Sequence, residues 1–150
     1  MSDEVLNLKT KSRLSHEALT REKTPRVLLA EDNNDMRKLL ALSLRKYGYE
    51  VIECADGRQL LNYISSFFFP YEETEVFQLI ISDIRMPGFT GLEVLERMHN
   101  CKAFPPMVLI TAFGDEEIHA QARRFGAAAI FDKPFDIDEL MDKVQAIVPF

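Results

Sequence analysis

The sequence predicts a single α/β domain built on an open parallel sheet, and three observations carry that expectation. From Arg26 onward, short apolar runs alternate with segments of helical periodicity, the pattern of βαβ units in which each crossover helix returns the chain to the same end of the sheet. Turn-forming and cap-forming residues bound the runs. Chemically distinctive residues then stand at the ends of four of them: Glu31 and Asp32 after Val27-Leu28-Leu29-Ala30, Asp83 after Phe77-Gln78-Leu79-Ile80-Ile81-Ser82, Thr111 after the fourth run and Lys133 two places beyond the fifth. The carboxyl ends of parallel strands share one edge, where such sheets build ligand sites, so these residues are expected to converge.

Each element has its own signal. The first strand, Arg26 to Leu29, follows Thr24-Pro25, a natural boundary. Asn33-Asn34 caps a helix that should place Met36, Leu39, Leu40, Leu44 and Tyr47 on one face and end at Gly48. Glu50 to Cys54 forms the second strand, and a second helix is expected from about Asp56 to Phe68. The aromatic Phe67-Phe68-Phe69-Pro70-Tyr71 and acidic Glu72-Glu73-Thr74-Glu75 follow; the aromatic run is read as extending that helix into the core rather than as an exposed patch. Phe77 to Ser82, Met107 to Ile110 and Ala129 to Phe131 are the remaining strands. Thr90 with Glu93, and Asp136 with Glu139, give the spacing of a helix start ahead of Leu92-Leu95-Met98 and Leu140-Val144-Ile147. Asp115 opens another helix, with Ile118, Ala122 and Phe125 inward and Gly126 at its end.

A chain of 150 residues fits one domain, burying about 70% of its extended surface. The net charge of -6 argues against direct nucleic-acid binding, which draws affinity from Lys and Arg on phosphates. No apolar stretch approaches the ~18 residues of a membrane span, and a cytoplasmic location is expected. Residues 1–25 are read as a flexible extension, with a short docking or dimerising helix as the alternative, and 26–150 as the domain. The extension has five basic against four acidic residues, a net +1, which leaves -7 on the domain. Cys54 and Cys101 are too few for a disulfide framework and are expected to be reduced and buried. His16, His99 and His119 lack metal-ligand spacing.

Carboxylates gathered at one edge repel by roughly 1 to 4 kcal/mol per pair at ~4 Å, so something positive must offset them. Mg²⁺ suits hard oxygen ligands and is usually held by one or two carboxylates plus a phosphate. Lys133 supplies a second positive charge, Thr111 a hydroxyl for an anionic oxygen, and small Ala112 leaves room for a ligand. Together these groups suit phosphoryl transfer, which needs alignment and neutralised charge. Asp83 is then the nucleophile, forming an aspartyl phosphate. Singly, each residue has a duller reading as a cap, turn former or solvated loop residue; their joint placement outweighs it.

The segments L-L-A-E-D-N-N, I-I-S-D-I-R-M-P-G-F-T-G, L-I-T-A and D-K-P-F, in this order, resemble the receiver domain of two-component response regulators over about residues 25 to 148. The resemblance implies a flavodoxin-like (βα)5 three-layer sandwich with a parallel five-stranded sheet of order 2-1-3-4-5. It implies Asp83 as phosphoacceptor, Glu31, Asp32, Asp83 and the Arg85 carbonyl as Mg²⁺ ligands, and Thr111 and Lys133 as phosphoryl contacts. It also implies a cis Lys133-Pro134 bond, and Arg85 and Phe113 as the positions that tune phosphoryl lifetime. The implied donor is a phosphohistidine on a sensor histidine kinase or a histidine phosphotransfer protein. The chain is expected to be a signalling domain that assists only its own phosphorylation and dephosphorylation. Its downstream effector is unknown and homodimerisation is open. No output domain follows Phe150, so either a stand-alone receiver or part of a larger protein is expected.

Two features depart from the family pattern. The switch position three before the Lys, often Tyr or Phe, is Ile130 here, and Phe131 should face the other side of the sheet. The usual coupling between Thr111 and an aromatic ring is therefore expected to be altered, with the loop after Thr111 and the helix opened by Asp115 carrying most of the change. The Phe67 to Glu75 link is also longer than the pattern. Rival readings fail on residues: a nucleotide or flavin cradle wants Gly, Ser or Thr where Glu31-Asp32-Asn33-Asn34-Asp35 stands. A haloacid-dehalogenase-like phosphatase wants D-x-D after the first strand, whereas Asp83-Ile84-Arg85 follows the third. A receiver-like scaffold that works without phosphorylation remains the alternative.

Overall fold

The computed structural model describes residues 24–65, 76–112 and 114–149. The extension through residue 23, the Phe67 to Glu75 segment and Phe113 lie outside them. The strands are β1 (Arg26–Ala30), β2 (Glu50–Cys54), β3 (Leu79–Asp83), β4 (Met107–Thr111) and β5 (Ala129–Asp132). All pair in parallel, in the expected order β2-β1-β3-β4-β5. Alternating with them are α1 (Asn34–Lys46), α2 (Gly57–Ser65), α3 (Gly91–Met98), α4 (Glu116–Arg124) and α5 (Ile137–Ile147).

Strand alternation divides the apolar residues between two cores. Leu28, Ala30, Ile80 and Leu109 face α2, α3 and α4, where Leu60, Ile64, Val94, Leu95, Met98 and Ala122 meet them. Val27, Leu29, Ile81, Val108 and Ile110 face α1 and α5, sealed by Leu40, Ala41, Leu44, Leu140, Met141 and Val144. The result is the three-layer sandwich.

The strands reach further toward their carboxyl ends than apolar patterning implied. Ala30, Asp83, Thr111 and Asp132 all belong to strands, so a rigid ladder fixes the Asp83 and Thr111 backbones. The third strand starts later, because Gln78 is occupied by β1: its N–H donates to the Arg26 carbonyl at 2.9 Å and its Oε1 accepts from the Arg26 N–H at 2.7 Å. Phe77 is buried but precedes the strand, its ring meeting Tyr63 edge-on.

Helix ends follow their caps. Asn33 accepts from the Met36 N–H, Thr90 from Glu93 and Asp115 from Ile118. Asp136 caps Asp138 rather than Glu139. Gly48 and Gly126 follow α1 and α4 with φ of 96° and 81°, left-handed values that favour glycine at helix ends. Leu39 and Tyr47, expected inward on α1, are instead 45% and 41% exposed. The helix seats Leu40, Ala41 and Leu44 on the sheet, with Met36 half-buried beside them. Cys101 corrects a second expectation: it lies exposed in the turn after α3, whereas Cys54 is buried and its thiol pushed up to about 12, first by burial.

Candidate functional site

At the carboxyl edge, four polar residues are almost fully buried: Glu31, Ser82, Asp83 and Thr111. Glu31 directly follows β1, and its N–H donates to the Cys54 carbonyl at 3.0 Å, continuing the ladder. Asp83 ends β3. One of its carboxylate oxygens accepts the Arg85 N–H at 3.0 Å, which folds the turn back over the strand end. Ser82 Oγ donates to the Asp83 carbonyl at 2.9 Å. Close against this pair, a Cβ on Gly91 would lie 2.7 Å from Ser82 Oγ and 2.9 Å from the Asp83 carbonyl oxygen. Helix α3 therefore begins tight on the strand that carries Asp83.

Lys133 joins the strands. Its N–H donates to the Thr111 carbonyl at 2.7 Å, and its ammonium donates to Asp83 Oδ2 at 2.7 Å and Glu31 Oε1 at 2.5 Å. The Lys133-Pro134 bond is cis, as expected. Asp32 is exposed, yet Glu31, Asp32 and Asp83 each offer a carboxylate oxygen, all within 4.8 Å of one another.

Burial is the largest influence on Glu31, whose pKa rises to about 7; the hydrogen bond and charge of Asp83 push the same way, against Lys133. For Lys133, burial alone would lower the pKa, but its hydrogen bonds and charge interactions with Asp83 and Glu31 outweigh this and raise it. Glu31 Oε2 is buried with no hydrogen-bond partner among the described residues. A buried carboxylate oxygen without a hydrogen-bond partner, in a residue whose carboxylate lies close to those of Asp32 and Asp83, fits a small divalent cation such as Mg²⁺.

The other expected residues are placed less centrally. Ile130 is half-buried in the core with Ile80 and Leu109, and Phe131 packs in the opposite core, so the two do face opposite sides. Arg85 lines an open cleft beside the site with Ala112, Gly114, Asp115 and Asp132. Phe113, expected to tune phosphoryl lifetime, is not among the described residues.

Sequence reasoning passed over Arg37 and the His119–Asp132 pair. Arg37, in the first turn of α1, donates to the Glu31 carbonyl at 2.9 Å and pairs with Glu53 at 3.4 Å, tying the acidic loop to β2. Nothing in the spacing signals it. Asp132 stood inside the D-K-P-F segment, but its partner 13 positions earlier becomes visible only once α4 packs beside β5.

The response regulator receiver domain model matches residues 27–145. The chain belongs to that family. It is 31% identical to the sporulation initiation phosphotransferase F of Bacillus subtilis, over 83% of this chain and 94% of that protein. Against the C4-dicarboxylate transport transcriptional regulatory protein DctD of Pseudomonas aeruginosa, identity is 37% over 79% of this chain but only 24% of the relative. The CheY-like receiver domain protein of Methanospirillum hungatei superposes with a TM-score of 0.72 at 26% identity, covering 83% of this chain and 94% of that one. The chain is thus a receiver domain of two-component response regulators, a kind of domain phosphorylated on aspartate. No helix among the described residues is long and apolar enough to cross a membrane.

Proposed function

We propose that Asp83 is the phosphoacceptor, taking its phosphoryl group from a phosphohistidine on a sensor kinase or histidine phosphotransfer protein. The observation that carries this reading is the Lys133 ammonium held between the buried carboxylates of Glu31 and Asp83 at 2.5 and 2.7 Å. Without a cation the two carboxylates would repel; with Lys133 in place Asp83 stays oriented by hydrogen bonds to both of its oxygens. A carboxylate oxygen attacks phosphorus, the phosphorus–nitrogen bond of the donor breaks, and the electron pair leaves with the imidazole nitrogen. Lys133 then donates to a phosphoryl oxygen in place of Asp83 Oδ2, while the Thr111 hydroxyl donates to another.

Glu31, Asp32, Asp83 and the Arg85 carbonyl would hold Mg²⁺, which when bound supplies neutralisation of the phosphoryl oxygens' charge. The change in charge at Asp83 is passed to a partner-binding surface through Thr111 and the start of α4. Intact-mass measurement with a small acyl phosphate and Mg²⁺ tests the assignment. The parent is expected to gain one phosphoryl group that Asp83→Asn cannot take. An adduct persisting in Asp83→Asn, or none in the parent with several donors and a cognate kinase, would refute it.

A further inference from the structure

Gly114, at the start of the connection from β4 to α4, sits where three side chains meet. A Cβ on it would lie 2.0 Å from Asp132 Oδ1, 2.7 Å from His119 Nε2 and 2.7 Å from Thr111 Cγ2. Those distances leave no room for a side chain, so the backbone at Gly114 is pressed directly onto the other groups. His119 Nε2 and Asp132 Oδ1 are themselves 2.9 Å apart, joining the first turns of α4 to the last residue of β5. Asp132 is the register partner of Thr111 and directly precedes Lys133. The pair therefore closes over the chain between two residues that meet the phosphoryl group. We propose that His119 and Asp132 form a latch that pins Gly114 and the start of α4 against β5 in the unphosphorylated state, with both acting as positioning residues for Thr111.

The inference rests on Asp83 as phosphoacceptor, and the geometry sets its direction. Lys133, next in the chain to Asp132, donates to Asp83 Oδ2 and Glu31 Oε1, so drawing its ammonium onto a phosphoryl group on Asp83 pulls on the segment that carries the latch. The latch also links α4 to β5 without a side chain at position 130, where Ile130 has no ring to swing. Both side chains retain solvent contact, 23% for His119 and 51% for Asp132, which keeps the bond weak enough to open. An unbreakable one would leave the domain unresponsive, because a bound group shifts an equilibrium only by its differential affinity for the two states.

Amide hydrogen exchange in the unphosphorylated protein, paired with beryllofluoride titration, tests the proposal. In His119→Ala, amides from Gly114 to Arg124 are expected to exchange at least about fivefold faster, the low end of couplings between sites, while those of β1 and β3 stay as in the parent. Adding Asp132→Ala to that variant should bring no further acceleration, because the two residues act through one bond. His119→Gln, whose amide can donate to Asp132, should recover part of the protection. Beryllofluoride should bind His119→Ala at least about fivefold more tightly than the parent. Unchanged exchange in His119→Ala, acceleration spread across the whole sheet, or an additive double variant would overturn the latch. Faster exchange with unchanged or weaker beryllofluoride binding would overturn its role in switching. If the parent itself fails to bind beryllofluoride, the Asp83 assignment fails, and the exchange measurements still decide whether the latch exists.

Discussion

Around β1 and β3, every residue from Val27 to Ala30 and from Leu79 to Asp83 is buried, and α1 closes over them with Leu40, Ala41 and Leu44. Around β5, no residue of the strand is fully buried, and the adjoining α4 buries only Ala122. Both regions supply the same site: Glu31 and Asp83 come from the packed side, Lys133 from the loose one. The difference separates fixing from sensing. Dense packing holds the carboxylates in one geometry, whereas sparse packing lowers the cost of local rearrangement. On the proposed reading, a charge change made on the rigid side would be read by the more loosely packed one.

Two isoleucines in the same core test this contrast most severely. Ile80 is fully buried as the second residue of β3, and Ile130 is half-buried on β5. Ile80→Ala is expected to cost about 2 to 5 kcal/mol of unfolding free energy, and Ile130→Ala less than about 2 kcal/mol. Denaturant melts would measure both. Equal losses would show that β5 is as well packed as the centre, and the contrast would fail. If, as proposed, the response runs through Thr111 and the start of α4 rather than through a swinging ring, Ile130→Ala should also leave the beryllofluoride-induced shifts of the α4 amides in place; their loss, with the mimic still bound, would contradict that account.

A smaller effect is expected from pH, confined to the packed side. Glu31 rises from its usual 4.5 to about 7. A carboxyl raised on folding stabilises the fold fully below its unfolded pKa, and that contribution is lost as pH climbs through the folded value. The metal-free protein should therefore lose up to roughly 3 kcal/mol between about pH 4.5 and 7. Lys133, whose pKa is raised, keeps its contribution through this window and loses it only in the alkaline range. Thermal melts in chelator should show the decline, and Glu31→Gln should flatten it. A Gln variant with the parent's pH slope would place the titrating group elsewhere.

How much of this was legible in the sequence follows the same divide. Strand identity and the placement of Glu31, Asp83, Thr111 and Lys133 at the strand ends could be read because each signal is local: an apolar run, then a chemically distinct residue at its end. Thr90, Asp115 and Asp136 were readable as caps for the same reason. What failed depended on partners distant in the chain. Leu39 and Tyr47 share the helical period of α1, but the sheet admits only a narrower stripe. Gln78 reads as strand until β1 claims both its N–H and its side chain. The His119–Asp132 bond exists only because α4 packs beside β5, and no spacing rule encodes that.

The smallest change in stability, and the sharpest separation of folding from chemistry, is expected at Asp32. It is exposed, unlike Glu31 and Asp83, yet its carboxylate lies in the same acidic group. Asp32→Asn should alter unfolding free energy by no more than about 0.5 kcal/mol, as surface substitutions usually do. In the metal-free protein the sign should be stabilising, since one of three mutually repelling charges is removed. Mg²⁺ affinity should fall by at least about tenfold, because substitutions even of outer residues at metal sites cost that much. Calorimetric titration and thermal melts on one preparation would then move in opposite directions. Unchanged Mg²⁺ affinity would remove Asp32 from the metal site, and a large loss of stability would mean that the exposed carboxylate holds the β1–α1 loop together rather than the ion.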